Sequence, residues 1–335
     1  VIGSVEIARF RGIREGKLSD LTPLVALVGP NGCGKSSVLD ALLVAGSRPT
    51  SEGLIRAVQR HEGVKYGARW LFCRGDAAQT CQLVLSTDGT GRRSCTLRGL
   101  NLSAPDKTSL KCEVVDGFEK QSSGTVHVTF RVGNDAVNVR ESKPGTPAEA
   151  FPGVRLIEGY REDASTPLHR LVTETTELGT IGDVVAILSQ VVPDAKDIRI
   201  LTEGNDPLVH VVLSDHSVPV ALTGDGVRSL VRLSLELAAR RGGTVLMEEP
   251  EVHQHPGAIR RIARTVLTAV RRGIQVIFTT HSLELIDSFL AESTPDDLGR
   301  ISLYRLQLEA GLLRSRRMSG SEIEFARTQI ENDLR

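Results

Sequence analysis

The 335-residue sequence is poor in aromatics. They make up 4% of the chain, with Trp70 the single tryptophan, which argues against a ring platform for stacking single-stranded bases. It also lacks a surplus of either charge. Lys plus Arg and Asp plus Glu each total 41, so composition alone offers no bulk attraction to nucleic acid, although a local basic face survives such a balance. No run approaches the roughly 18 consecutive apolar residues that suggest a membrane helix, so no membrane association is expected. The chain opens on a short strand-like run, Val1-Ile2-Gly3-Ser4, unlike a signal peptide. Cysteine is sparse and odd in number (Cys33, Cys73, Cys81, Cys95 and Cys112), with no C-x-x-C pair and no zinc-site spacing. That pattern predicts free thiols in a reducing, cytoplasmic compartment. Internal repeats, low-complexity tracts and long heptad runs are absent.

What is present is an alternation of buried-strand and helix patterns interrupted by a β-rich stretch. The continuous apolar run 24–28 stops at Gly29-Pro30-Asn31-Gly32, as a strand covered on both faces of a parallel sheet does. A helix follows over 36–45. Between about 73 and 150 the turn signals Asp88-Gly89-Thr90-Gly91 and Gly133-Asn134-Asp135 join alternating strands, which predicts antiparallel hairpins. Lys143-Pro144-Gly145-Thr146-Pro147 reads as a linker. Further strands are expected at 154–157, 198–201, 208–213, 244–247 and 275–279. Helices are expected at 181–191, 226–240, 257–271 and 283–291, then a hairpin through Glu309-Ala310-Gly311 and a last helix near 322–331. Three regions result: 1–72, a β insertion over 73–150, and 151–335.

Four motifs carry the chemistry. Gly29-Pro30-Asn31-Gly32-Cys33-Gly34-Lys35-Ser36 fits G-x-x-x-x-G-K-[ST] between a strand and a helix. Its glycines let backbone N–H groups wrap phosphate oxygens, and the helix N-terminus adds positive potential. Asn31, Gly32, Cys33, Gly34, Lys35, Ser36 and Ser37 form the expected nucleotide-binding set. Lys35 reaches the β- and γ-phosphates and the Ser36 hydroxyl ligates Mg²⁺. Cys33 reads as an inert small residue at a variable position of the motif. Next, the apolar strand 244–247 ends in Glu248 and Glu249, which puts acids at the carboxyl edge of a parallel sheet, where ligands bind. Glu248 is expected to hold Mg²⁺ through a water, and Glu249 to polarise the attacking water. The strand 275–279 then delivers His281 to the same edge, for a bond to the γ-phosphate or that water. Last, Thr223-Gly224-Asp225-Gly226-Val227-Arg228 opens the long helix and makes a second anion cradle. One nucleotide does not need two cradles in one molecule. Two facing copies do, if each lends its second cradle to the other.

These motifs in this order resemble the ABC-type ATPases, and more closely the soluble branch with RecF, the SMC heads and the OLD (overcoming lysogenization defect) family. The carriers are Phe10-Arg11-Gly12, the phosphate loop, Gly224 to Arg228, Glu249-Pro250-Glu251, His253, His255-Pro256 and Thr279-Thr280-His281-Ser282. The resemblance spans 1–72 and about 150–335. It implies an α/β fold: an ABC-type P-loop NTPase with a parallel core sheet, an antiparallel β insertion and a helical lobe. It also implies a homodimer or higher oligomer around two ATP·Mg²⁺, with Thr223, Gly224, Asp225, Gly226 and Arg228 acting in trans. Glu248 stands where the branch usually has Asp, and the added methylene is expected to slow turnover. Thr223 and Asp225 replace the Ser and Gly of transporter signatures. The glutamine that usually follows the phosphate-loop helix has only weak candidates in Gln59, Gln79 and Gln82.

OLD-family members often carry a Toprim nuclease, whose chemistry needs a D-x-D pair. No two aspartates here stand two apart, so the chain is expected to lack it. Free-standing ATPases of this group work by resemblance with a separate effector, often a nuclease or toxin in anti-phage defence. The alternative is a RecF-like repair ATPase that clamps DNA directly, with arginine clusters such as Arg92-Arg93, Arg260-Arg261 with Arg264, and Arg314 with Arg316-Arg317 as candidate contacts.

Overall fold

The computed structural model describes every residue except 61–66, 77, 90, 101–106, 117–121, 132–136, 142–152, 158–165, 253, 255 and 330–335. The expected linker 143–147, the turn 133–135, His253, His255 and the end of the last expected helix lie outside the described residues.

The chain starts with an antiparallel hairpin, β1 (Ile2–Phe10) and β2 (Ile13–Ser19), then β3 (Leu24–Val28), α1 (Lys35–Gly46) and α2 (Thr50–Gln59). Five strands follow: β4 (Cys81–Thr87), β5 (Arg92–Leu100), β6 (Lys107–Asp116), β7 (Ser122–Arg131) and β8 (Val137–Glu141). After β9 (Val154–Ile157) come α3 (Leu168–Glu177), α4 (Ile181–Leu188), β10 (Asp197–Glu203), β11 (Asp206–Val212), β12 (Ser217–Pro219) and α5 (Asp225–Ala238). The chain continues through β13 (Thr244–Glu248), α6 (Pro256–Arg271), β14 (Gln275–Thr279), α7 (Leu283–Glu292), α8 (Pro295–Leu298), β15 (Ile301–Glu309), β16 (Leu312–Ser319) and α9 (Gly320–Thr328).

One 13-stranded sheet runs β8-β7-β6-β5-β4-β1-β2-β16-β15-β3-β14-β13-β9. Strands β15, β3, β14, β13 and β9 pair in parallel. They read as continuous apolar runs because both faces are covered: β3 and β14 are buried at every position. On one face α1 packs Val38, Leu39 and Leu42; on the other α6 and α7 pack Ile262, Val266 and Phe289. The strands of the 73–150 region continue this sheet, because β4 pairs with β1. A smaller sheet, β10-β11-β12, packs with α3, α4 and α5 around its own cluster of Leu171, Val184, Val209 and Leu235. The expected parallel core, antiparallel β region and helical lobe are thus all present.

Register decides where the site lies. Leu27 stands beside Thr279, and Thr279 beside Glu248, so the loops leaving β3, β14 and β13 open at one sheet edge. Gln275 fixes the opposite end. Its side chain bonds the backbone N–H and C=O of Ile2, the Thr22 carbonyl and the Thr244 hydroxyl.

Candidate functional site

Between β3 and α1 the chain adopts positive φ at Gly29, Gly32 and Gly34. Gly29 has a second constraint, since a Cβ there would lie 2.6 Å from the Leu306 carbonyl oxygen and 2.8 Å from Cys33 Sγ. The loop can therefore close over the sheet only without a side chain at that position. Asn31 and Gly32 are exposed, Cys33 and Lys35 are buried, and Ser36 and Ser37 are half-buried. The Lys35 ammonium folds back over the loop and donates to the carbonyls of Gly29 (2.8 Å) and Pro30 (3.3 Å). A phosphate would compete for that same charge.

The Ser36 hydroxyl donates to Oε1 of Glu248 at 2.6 Å. The two residues are 212 apart in sequence, and the sheet register brings them together. A hydroxyl and a carboxylate beside a phosphate loop are hard oxygen donors of the kind Mg²⁺ takes, with phosphate and water oxygens filling its other positions. The donor set fits that metal.

Glu249 is strained, with φ of 42°. Non-glycine residues hold such a conformation only where neighbours over-determine it. Here its N–H donates to both the carbonyl (3.1 Å) and the hydroxyl (3.2 Å) of Thr279. Its carboxylate lies beside His281, whose Nε2 is 3.5 Å from Glu249 Oε1. His281 is held in turn by Glu251. Oε1 of Glu251 accepts from the Thr280 hydroxyl (2.5 Å) and from the His281 N–H (3.2 Å), while its buried Oε2 has no partner among the described residues. Burial pushes the Glu251 carboxyl above the usual range, against the pull of those hydrogen bonds.

The structure thus gathers the loop, Lys35, Ser36, Glu248, Glu249 and His281 at one sheet edge. Thr223, Gly224, Asp225, Gly226 and Arg228 stand at the start of α5, whose next residues Ser229 and Leu230 line a cavity with Glu248 and Glu249. Gly224 is the helix N-cap, Thr223 Oγ1 donates to the Val220 carbonyl (2.7 Å), and Arg228 pairs with Asp225 at 2.9 Å. Their surroundings are open: Leu222 is 77% exposed and the Asp225 side chain 81%.

Sequence reasoning missed a buried charge network behind the loop. Asp40, fully buried on α1, forms an ion pair with Arg11 Nε (2.7 Å) and accepts from Arg60 Nη1 (2.8 Å), and Arg60 also pairs with Glu248. Burial pulls the Arg11 guanidinium below its ordinary range, although Asp40 opposes the shift. One signal was available: Asp40 interrupts the apolar run Val38-Leu39-Asp40-Ala41-Leu42, and a buried acid needs a cation.

The arginine clusters divide. Arg264 (2.8 Å) and Arg260 grip Glu292, Arg261 donates to the Gln190 carbonyl (2.7 Å), and Arg93 is buried on Thr50. Arg92, Arg314, Arg316 and Arg317 are exposed. All five cysteines are buried free thiols. Burial and a neighbouring Cys95 raise the Cys81 thiol, and a hydrogen bond with Cys95 followed by burial raises that of Cys112. No helix among the described residues is long and apolar enough to cross a membrane.

Residues 187–287 match a family described as "AAA domain, putative AbiEii toxin, Type IV TA system". An ATP/GTP phosphatase of Helicobacter pylori is 21% identical, with 99% of both chains covered. The chromosome partition protein Smc of Gloeobacter violaceus is 32% identical over 106 residues, which is 31% of this chain and 9% of that protein. Among solved structures, an SMC head bound to the C-terminal winged-helix domain of ScpA is similar with a TM-score of 0.54 and 13% identity, covering 95% of this chain and 98% of that one. An SMC head with an extended coiled coil, bound to the C-terminal domain of ScpA from Pyrococcus furiosus, gives 0.53 at 11% identity, with 99% of each covered. These similarities support the P-loop ATPase branch that includes the SMC heads, without singling out the OLD family. The chain has the ABC-type ATPase fold of the SMC heads.

Proposed function

We propose that this protein binds ATP with Mg²⁺, hydrolyses it at a site completed by a second copy of the chain, and passes the resulting closure to a separate effector protein. The observation that carries the reading is the convergence of the phosphate loop, the Ser36–Glu248 pair, the strained Glu249 and His281 on one sheet edge. In this reading the loop amides and Lys35 hold the triphosphate, and Ser36 and Glu248 hold the metal. Bound Mg²⁺ supplies charge neutralisation on the transferring phosphoryl group. Glu249 accepts a proton from the attacking water as bond formation proceeds. His281, next to that carboxylate, orients the water or the γ-phosphate.

Thr223, Gly224, Asp225, Gly226 and Arg228 serve the partner's nucleotide. The support is their placement at an open helix start, which is suited to phosphate. Output to another protein is supported by the toxin description of the matching family and by the ScpA domains bound to the similar SMC heads. We further propose an OLD-like ATPase in anti-phage defence, working in the cytoplasm.

The direct test is ATP binding and turnover by the purified chain. Lys35→Ala should weaken ATP binding at least about thirtyfold, the scale for removing one partner of a buried charge pair. Unchanged affinity would remove the phosphate loop from the mechanism.

A second reading, direct contact with duplex DNA, has one observation in its favour. From β16 to β8 the helices α1 and α2 pack on one sheet face only, and the other face is polar. Register places Arg305, Arg314 and Arg316 on that face with Lys17, Arg92, Arg98, Lys111 and Arg140. A groove between β1, β2, β4 and β16 runs along it.

A further inference from the structure

Arg60 pairs with the carboxylate proposed above to hold the metal. It caps the C-terminus of α2, its N–H bonding the Arg56 carbonyl, and its side chain is 2% exposed. One arm of its guanidinium donates to Asp40 Oδ1 at 2.8 Å and the other pairs with Glu248 Oε2. The second oxygen of that carboxylate takes the Ser36 hydroxyl. Asp40 is anchored from its other side by Arg11, which also donates to the Ala57 carbonyl at 2.7 Å. Both oxygens of Glu248 are therefore engaged, one of them by a fixed positive charge.

Among the described residues the charges of this cluster balance without a metal. Arg11 and Arg60 offset Asp40 and Glu248, and burial makes each uncompensated charge costly. A divalent ion arriving alone would add two positive charges beside Arg60 and would have to displace it from Glu248. An ion arriving with a triphosphate brings more negative charge than it adds positive.

Resting on the ATPase reading above, we infer that Arg60 is a positioning residue and a stand-in cation. It holds Glu248 at the loop in the nucleotide-free protein and bars the carboxylate to free divalent metal until a triphosphate arrives. Metal and nucleotide then enter as one unit, while Arg60 keeps its bond to Asp40.

The test is titration of the full-length protein with Mn²⁺, followed by electron paramagnetic resonance, with and without a non-hydrolysable ATP analogue. Without nucleotide, Arg60→Gln should bind Mn²⁺ at least about tenfold more tightly than the parent, which is less than a like charge at contact distance costs at a protein-like dielectric. Adding Glu248→Gln to that variant should abolish the gain. If Arg60→Gln does not fold, Arg60→Lys keeps a charge but loses the fork to Asp40 and Glu248, and it should bind Mn²⁺ more tightly than the parent by a smaller factor. A folded variant with unchanged or weaker Mn²⁺ binding overturns the inference. If the parent fails to bind Mn²⁺ even with the analogue, the ATPase reading itself has failed, and the two outcomes are separable.

Discussion

At the scale of single residues, the site rests on carboxylates in unlike settings. Glu248 is paired on both oxygens, Glu249 is held in a strained backbone by Thr279, and Glu251 is buried with one oxygen unpartnered among the described residues. Glu251 touches neither the loop nor the Ser36–Glu248 pair in its described bonds. It braces the backbone of His281, and its elevated carboxyl makes that brace sensitive to pH. Because its folded pKa lies above the ordinary carboxylate value, the folded state holds its proton more tightly than the unfolded state. Stability should therefore fall as pH rises from the ordinary carboxylate pKa through the elevated one. Glu251→Gln keeps an acceptor for Thr280 and has no proton to lose. Its melting temperature should vary less with pH across that window than the parent's, as thermal denaturation at a series of pH values will show. Parallel curves would mean that Glu251 is ionised in the folded protein at no cost. That the phosphate loop, Glu248, Glu249 and His281 meet at one sheet edge was legible in sequence, because each follows a local strand pattern that fixes where it lies. Arg60 was not. Its partners lie 20 and 188 residues away, and no local spacing encodes such a contact.

At the scale of elements, continuous apolar strands announced themselves and half-exposed ones did not. The bounds of β3 and β14 agree with the runs 24–28 and 275–279, whereas β2, with only Ile13 and Leu18 buried, left no readable alternation. Helix α3 was missed for a similar reason, since it buries only Leu171, Val172 and Thr175. The pair α1 and α2 shows how packing serves the site. A Cβ at Gly53 would lie 2.5 Å from the Leu43 carbonyl, so this crossing, which delivers Arg60, needs glycine there. The bare sheet face carries the prediction that belongs to this scale. If it meets duplex DNA, binding should be strong at low salt and fall steeply as salt rises. Exchanging Arg314 and Arg316 for Glu should then weaken it at least about tenfold, a small part of what several phosphate contacts contribute. Fluorescence anisotropy with a labelled duplex measures both. Absence of binding at low salt, or equal binding by the variant, removes the DNA reading and leaves the effector reading alone.

At the scale of the whole molecule, zero net charge conceals a segregation. The bare sheet face carries more cations than acids, although Lys17 pairs with Glu6 and Lys111 with Glu113 there, while Arg264, Arg271 and Arg240 pair with Glu292, Asp297 and Glu236. In the proposed reading the phosphate loop and the start of α5 each take phosphate, the loop beside one core and α5 packed between two others. The proposed composite site therefore requires two copies to meet around nucleotide. The most direct measurement is the mass in solution of Glu249→Gln, by light scattering, with and without ATP and Mg²⁺. The variant keeps every proposed binding group and loses the proposed base, so ATP should persist and the mass should double when nucleotide is added. A variant that binds ATP and keeps the monomer mass, or one that turns ATP over like the parent, would contradict the composite site.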